Sequence, residues 1–114
     1  MGIEIVDPEK SYELPHASGA KFVMSHWTVA MQEEVDRRCL AMDGKGGYTY
    51  DVALDRQLKI DFAVKSWSGV TSNGEEVPCN PENKRKLPVG VQLWLVKDIE
   101  ERAGLRMTDA EKKI

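Results

Sequence analysis

The sequence contains no long apolar segment and few of the features that direct a chain to a membrane. No uninterrupted apolar run approaches the ~20 residues of a membrane-spanning helix. The opening residues, MGIEIVD, lack the basic flank and the long apolar stretch of a signal peptide. Val6 stands where a myristoylation motif after Gly2 requires Ser or Thr. We therefore expect a soluble protein that stays in the cytoplasm and has no membrane partner.

Residues that usually hold metals or perform redox chemistry are also scarce. The chain has two cysteines, Cys39 and Cys79, and two histidines, His16 and His26. Their spacing fits no common metal or redox motif. Thiols of a cytoplasmic protein stay reduced. We therefore predict no disulfide, no metal site and no cofactor.

Charge of one sign is not in large excess. Sixteen Lys and Arg residues face nineteen Asp and Glu residues, for a formal net charge of -3. This balance gives no electrostatic reason to bind nucleic acid. The basic cluster Lys84, Arg85 and Lys86 is more often a solvated face than a binding patch. A regulatory module that acts on nucleic acid through this cluster stays open as an alternative.

Length and composition indicate one folded domain. A chain of 114 residues with 41% hydrophobic and 31% charged residues can build one core and solvate its outside. We assign residues 1–105 to this domain. The polar segment 106–114 is predicted to be a flexible C-terminal tail.

The N-terminal third has the pattern of strands. The alternation at Ile3-Glu4-Ile5 predicts a strand, which Pro8 interrupts. Ser11 to Leu14 and Lys21 to Trp27 predict a β-hairpin, because the residues between them favour turns. An isolated hairpin is marginal in water, so we expect it to pack on other elements.

Two helices are predicted next. Thr28 can cap a helix that runs to about Met42, with Val35 and Cys39 on its apolar face. A glycine-rich loop at residues 43–47 ends it, and this loop is not a phosphate cradle because a helix, not a strand, precedes it. A second helix spans Thr49 to Ser66, with Trp67 at its C-terminal end. Its wide apolar stripe indicates a helix that is contacted on two sides.

The last third contains clear turn and cap signals. Asn73-Gly74 predicts a tight turn or mini-hairpin. Asn80 and Pro81 predict the start of a short helix, which ends before Pro88. A final helix spans Val89 to Ala103, with its apolar side formed by Val89, Leu93, Val96, Ile99 and Ala103. The predicted fold is α+β: an N-terminal β-hairpin packed on three to four helices, with a mini-hairpin between the second and third.

The large aromatic residues are the best candidates for a binding surface. Three tryptophans are many for this length, and tryptophan is enriched at interface hot spots. At least two of them are expected to fill the core. We predict partner contacts at Trp94, Leu95, Trp67 and Trp27, and Trp94 is the first choice.

No group of residues predicts catalysis. Cys79 lies beside a helix start, a position that lowers the pKa of a thiol, so a small enzyme or redox protein that uses Cys79 is an alternative. No nucleophile motif surrounds it, and the acidic pairs Glu33-Glu34 and Glu75-Glu76 are exposed by pattern. We therefore predict no catalytic residue.

One stretch of the chain resembles a known family. Residues 64–70, VKSWSGV, are followed by NGEEVPCNPENK at residues 73–84. This stretch resembles small tail assembly chaperone-like proteins of tailed phages and prophages, in which a helix with Trp-x-Gly-Val precedes a turn and a helix start with Pro, Glu and Asn. The chain departs from that pattern at Leu87-Pro88-Val89-Gly90, where a longer uninterrupted helix is expected.

The resemblance implies a non-enzymatic role inside a bacterial host cell. Proteins of this kind bind tape-measure or tail-tube proteins while a phage tail is built, so the implied partners are other phage structural or assembly proteins. The family carries no catalytic residue over to this chain. A homo-oligomer is also possible.

Overall fold

The computed structural model describes residues 2–7 and 9–106, and these residues form the predicted α+β fold. Apart from Arg106, the predicted tail lies outside the described residues, as does Pro8. The elements in chain order are β1 (Ser11–Pro15), β2 (Lys21–Ser25), α1 (Val29–Cys39), β3 (Leu40–Met42), β4 (Tyr48–Tyr50), α2 (Val52–Ala63), β5 (Val64–Ser68), β6 (Thr71–Ser72), β7 (Glu75–Glu76), α3 (Pro81–Arg85) and α4 (Val89–Arg102).

The predicted N-terminal hairpin is confirmed and forms part of a three-stranded antiparallel sheet. The strand order is β1-β2-β5. Phe22 on β2 pairs with Leu14 on β1 and with Trp67 on β5. This row faces the helices, whereas the neighbouring row of Glu13 and Ser66 lies on the outer face. The sheet therefore has the apolar and polar faces expected of an antiparallel sheet that is packed on one side.

The second helix is shorter than predicted, and Trp67 is not at its end. Asp51 caps α2 by accepting a hydrogen bond from Leu54 N at 3.0 Å, and the helix ends at Ala63. The next residues form β5 instead of a further helical turn. β-branched Val64 and aromatic Trp67 suit a strand, and β2 offers an edge to pair with. Tertiary pairing therefore overrides the helical periodicity of this segment.

The first helix is also shorter than predicted. Thr28 caps α1 as expected, with Met31 N donating to its Oγ1 at 3.2 Å. The helix ends at Cys39, and the prediction that it runs to Met42 is wrong. Leu40 to Met42 form β3, which pairs with β4 across the glycine-rich loop. The loop returns the chain onto Leu40–Met42, and the resulting strand pairing replaces the last helical turn.

The prediction of a strand at Ile3-Glu4-Ile5 is wrong. Residues 2–7 carry no regular secondary structure. Ile3 and Ile5 are almost fully exposed. Alternation alone does not make a strand, because its backbone groups need a partner edge, and none of the described strands pairs with this segment.

The turn and cap signals of the last third are confirmed. Asn73 and Gly74 both have positive φ, 53° and 82°, and connect β6 to β7. Asn80 Oδ1 accepts a hydrogen bond from Asn83 N at 2.8 Å and begins α3. Short-range signals therefore predict this part of the fold well.

The final helix has the predicted bounds within one residue but a different buried side. Val89 and Leu93, predicted to face the core, are 65% and 52% exposed. The buried residues are Leu95, Val96 and Ile99. The first turns of α4 are apolar nearly all round, so periodicity alone could not choose the side that packs on the sheet.

Helix α2 lies between α1 and α4 and also packs on the sheet, as its wide apolar stripe predicted. The main core contains Phe22, Met24, Ile60, Leu95 and Ile99, among others. A second cluster is formed by Val35, Cys39 and Leu58 between α1 and α2. None of the described helices combines the length and the apolar character needed to cross a bilayer.

A buried lysine connects α2 to α4. Lys59 Nζ lies 3.0 Å from Asp55 Oδ2 and 2.9 Å from Glu100 Oε2. Desolvation by itself would lower the pKa of Lys59, but the hydrogen bonds and charges of the two carboxylates outweigh it and raise the pKa. The lysine is therefore held in its charged form.

Candidate partner-binding surface

Trp27 borders the largest apolar groove described on this protein. The groove has a volume of about 480 Å³ and lies between the N-terminal segment, the start of α1 and the end of α4. We call it the Trp27 groove. Its apolar lining consists of Ile5, Val6, Trp27, Val29, Ala103 and Leu105.

Several apolar side chains on the walls of this groove are exposed to solvent. Ile5 is 91% exposed, Val29 is 74% exposed, and Val6 and Leu105 are about half exposed. Scattered apolar residues on a surface are normal, whereas a contiguous group around a concavity is typical of interaction sites. The position of Val29 follows from the cap at Thr28, which fixes where α1 begins.

The Trp27 ring itself is held in place from inside the fold. Its indole stacks on Phe62 of α2, with ring centroids 6.4 Å apart and 27° between the planes. Trp27 Nε1 donates to Gln32 Oε1 at 3.0 Å, and Gln32 Nε2 in turn donates to Asp36 Oδ1 at 2.9 Å. The ring is therefore held in one orientation, and a side chain that is already ordered carries a lower ordering cost in any binding event.

Trp67 has a structural role. Its Nε1 donates to the carbonyl oxygen of Val77 at 2.8 Å, and its ring meets Phe22 edge-on at 6.2 Å. The hydrogen bond ties β5 to the segment after the mini-hairpin. Trp67 therefore joins two parts of the chain and does not line the Trp27 groove.

Trp94 and Leu95, although adjacent in sequence, have different surroundings. Leu95 is fully buried in the main core, so its side chain is not accessible to a partner in this structure. Trp94 is half-buried and packs edge-on against His16 at 4.7 Å. His16 also lines a smaller groove of about 230 Å³ beside the start of α4. Of the four predicted contact residues, Trp27 thus borders the larger groove and Trp94 adjoins the smaller one.

Neither cysteine has the environment of an activated thiol. Cys79 is half-buried, and desolvation raises its pKa more than the nearby charge of Lys84 lowers it. Cys39 is buried, and desolvation raises its pKa also. The expectation that the helix start lowers the pKa of Cys79 is wrong, because burial dominates. Among the described residues, no group of three or more His, Cys, Asp or Glu could hold a metal ion.

Two of the three residues of the basic cluster, Lys84 and Arg85, contact the end of α2. Lys84 is buried, and its Nζ donates to the carbonyl oxygen of Asp61 at 3.3 Å. Arg85 makes a bidentate pair with the Asp61 carboxylate at 2.8 and 2.6 Å. Lys86, the residue that follows α3, is exposed, and its Nζ lies 3.4 Å from Glu82 Oε1. The contacts of Lys84 and Arg85 with Asp61 pin α3 to the end of α2.

Sequence reasoning missed a second exposed apolar surface. The hairpin β3–β4 presents Leu40, Met42, Tyr48 and Tyr50 on one face, and all four are at least 42% exposed. The alternation in Tyr48-Thr49-Tyr50, directly after a glycine-rich loop, was the signal that could have revealed a strand. The role of the N-terminal segment as a wall of the Trp27 groove was also missed, because it depends on contacts that no local pattern encodes.

Comparison of this chain with protein-family models, curated proteins and solved structures found no match.

Proposed function

We propose that this protein is a non-enzymatic phage or prophage protein that assists tail assembly. In this proposal it works in the cytoplasm of the bacterial host. It binds an apolar segment of another tail protein in the Trp27 groove and shields that segment until it is incorporated.

The observation that carries the proposal is the Trp27 groove. Its volume of about 480 Å³ lies within the range of about 300–1,000 Å³ that is common for ligand pockets in proteins. Its lining is mostly aliphatic and aromatic, with the polar side chains Thr28, Gln32 and Glu33 at the α1 side. Such a groove suits an amphipathic segment whose apolar residues enter it.

The charge at the rim of the groove indicates which kind of partner segment fits it. Glu33 is exposed and lies on the groove wall. A carboxylate at the rim favours a partner segment with Lys or Arg next to its apolar residues, because charge complementarity at a rim improves specificity and association rate. We therefore expect a basic amphipathic segment.

The choice of a phage tail protein as the partner is supported by the resemblance of residues 64–84 to tail assembly chaperone-like proteins. The non-enzymatic role is supported by the raised pKa of Cys79, which leaves less of the reactive thiolate at neutral pH. Both arguments favour a binding protein over a small thiol enzyme.

The test is co-expression of the chain with the tape-measure protein and, separately, with the tail-tube protein from the same phage or prophage genome. We expect one of them to co-purify with this chain and to be more soluble with it than without it. If neither protein binds and neither gains solubility, the tail-assembly proposal is contradicted.

A further inference from the structure

The outer edge of β4 has a complete set of unused backbone groups. In the β3–β4 hairpin, Asp43 N donates to Gly47 O at 3.0 Å and Asp51 N donates to Cys39 O at 2.9 Å. Hydrogen-bonded pairs alternate with non-bonded pairs along an antiparallel ladder. The pair Ala41–Thr49 is therefore the bonded one. The N–H and C=O groups of Tyr48 and Tyr50 accordingly point away from β3.

The opposite edge of the hairpin, formed by β3, has fewer unused N–H groups. The N–H of Leu40 on β3 donates to Asp36 O and closes the end of α1. β3 therefore keeps one outward N–H, that of Met42, whereas β4 has two, those of Tyr48 and Tyr50. Residues 48–50 are all exposed, and the other described strands pair elsewhere. An exposed edge of this kind is a template for a further strand.

We propose that β4 pairs with β4 of a second copy of this chain and forms a symmetric dimer. The strand Tyr48-Thr49-Tyr50 has the same sequence in both directions. A two-fold axis at Thr49 therefore places Tyr48 of each copy opposite Tyr50 of the other copy, which gives two such pairs. Each such pair exchanges two hydrogen bonds, which makes four between the chains. The two Thr49 side chains meet on the axis. Aromatic pairs and Thr–Thr pairs are both favourable across strands.

The charges around the strand fit the same arrangement. Antiparallel pairing about Thr49 brings the tip of one hairpin beside the base of the other. The tip carries Lys45 and the base carries Asp51, and both residues are exposed. The strand Tyr48–Tyr50 itself is uncharged, so no like charges face each other within the paired strands. The side chain of Tyr50 is already oriented, since its hydroxyl donates to Asp55 Oδ1 at 2.5 Å.

Dimerisation also remedies the marginal stability of a two-stranded hairpin. Three or more strands with an apolar face are needed for independent stability, and pairing converts two hairpins into one four-stranded sheet. The face then contains two copies each of Leu40, Met42, Tyr48 and Tyr50. Edge pairing buries less than a standard interface, so we expect a dissociation constant on the order of 10 to 100 µM. The inference does not depend on the tail-assembly proposal.

The first test is sedimentation of the full chain from about 1 µM to about 1 mM, a range that brackets the expected dissociation constant. We expect a shift from monomer to dimer. Thr49→Lys and Thr49→Glu should each be at least about tenfold weaker as homodimers, because like charges meet on the axis. An equimolar mixture of the two variants should restore the dimer. Ala41→Lys, on the same face of the hairpin but on β3, is the matched control and should still dimerise.

The second test needs no variant. Amide hydrogen exchange should show the N–H groups of Tyr48 and Tyr50 protected at about 1 mM and unprotected well below the dissociation constant. The inward N–H of Thr49, bonded to β3 in the monomer as well, should show some protection at both concentrations. A monomer at about 1 mM overturns the proposal. A dimer overturns it too if Thr49→Lys does not weaken it or if Tyr48 and Tyr50 exchange at the same rate throughout. Protection of these two amides only by a different protein would assign the edge to that protein instead.

Discussion

The indole ring of Trp27 stacks on the phenyl ring of Phe62, 6.4 Å away, while the same indole lines the largest apolar groove described on this protein. One residue thus connects the start of α1 to α2 and also contributes to the candidate binding surface. Its Nε1–H bond to Gln32 fixes the ring between these two environments.

Replacing Trp27 with Phe should reduce stability modestly. Trp27→Phe keeps an aromatic ring against Phe62 but removes the hydrogen bond to Gln32, which is worth about 1 kcal/mol. We expect the free energy of unfolding in urea to fall by about 1 to 2 kcal/mol. Trp94→Phe is the control, since no acceptor for Trp94 Nε1 is found among the described residues, and it should cost less. An equal or larger loss for Trp94→Phe would contradict the assigned role of the Gln32 bond.

Two glycine-to-alanine substitutions should change the stability of the fold in opposite directions. Gly69 has φ of +76°, and a Cβ there would lie 3.1 Å from Ala20 Cα, so Gly69→Ala should destabilise the fold by about 1 to 2 kcal/mol. Gly90 lies in the first turn of α4, where a Cβ would meet nothing within 4 Å. Gly90→Ala should stabilise the fold by up to about 1 kcal/mol. Thermal unfolding of the two variants, compared with the wild type, checks both predictions. If Gly69→Ala were as stable as the wild type, the β5–β6 turn would be able to relax around the added Cβ.

Removing the buried lysine charge should be among the most damaging changes. Lys59→Met leaves Asp55 without a cation and Glu100 with Arg106 as its remaining one, so we expect a loss of about 3 kcal/mol in the free energy of unfolding. Lys86→Met breaks an exposed pair with Glu82 and should cost less than about 0.5 kcal/mol. Similar losses for the two variants would mean that burial does not strengthen the Lys59 contacts.

The same lysine predicts a dependence on pH. Folding raises the pKa of Lys59 above its ordinary value of 10.5. Its stabilising contribution is therefore fully present below pH 10.5 and is lost as the pH rises through the raised value. The difference in stability between the wild type and Lys59→Met should be constant near neutral pH and shrink in strong alkali. A difference that already falls between pH 7 and pH 9 would contradict this assignment.

Alkylation separates the binding proposal from the thiol-enzyme alternative. Burial raises the pKa of Cys79 above its ordinary value of 9.0, so less thiolate is present at neutral pH. Cys79 should react with iodoacetamide more slowly than a free model thiol at pH 7, as measured by peptide mass mapping. Buried Cys39 serves as an internal reference and should react more slowly still. Faster alkylation of Cys79 than of the model thiol would favour the enzyme.

Local signals in the sequence predicted the parts of the fold that local chemistry determines. The caps at Thr28 and Asn80 and the turn at Asn73-Gly74 rely on hydrogen bonds and φ values within a few residues. The strand β5 could not be predicted in this way. Val64 and Trp67 continue the helical periodicity of α2, and only the edge of β2, some forty residues earlier, makes them a strand.

In the candidate site, too, local sequence signals predict some features, and others depend on contacts between distant parts of the chain. Tryptophan enrichment directed attention to Trp27, which lines the groove, whereas Leu95, chosen as the neighbour of Trp94 on an apolar helix, lies in the core. The groove needs Ile5, Val29 and Leu105 to meet, and these residues come from distant parts of the chain. No spacing in the sequence encodes that meeting. The exposed face of β3–β4 likewise depends on where α1 ends.

The most direct test of the account uses two matched valines, each the first residue of a helix. Val29 begins α1 inside the Trp27 groove, and Val89 begins α4 outside it; both are more than 60% exposed. An aspartate is well tolerated at either position because it faces the positive end of the helix dipole. Neither substitution should therefore disturb the fold.

The measurement is calorimetric binding of the tail protein that co-purifies with the chain to the two variants. Val29→Asp should weaken binding at least about tenfold, since its carboxylate must be desolvated where the partner's apolar residues pack, whereas Glu33 at the rim already faces the partner's Lys or Arg. Val89→Asp should bind within about twofold of the wild type. Equal affinities for all three proteins, or a larger loss for Val89→Asp, would contradict the assignment of the Trp27 groove as the binding site.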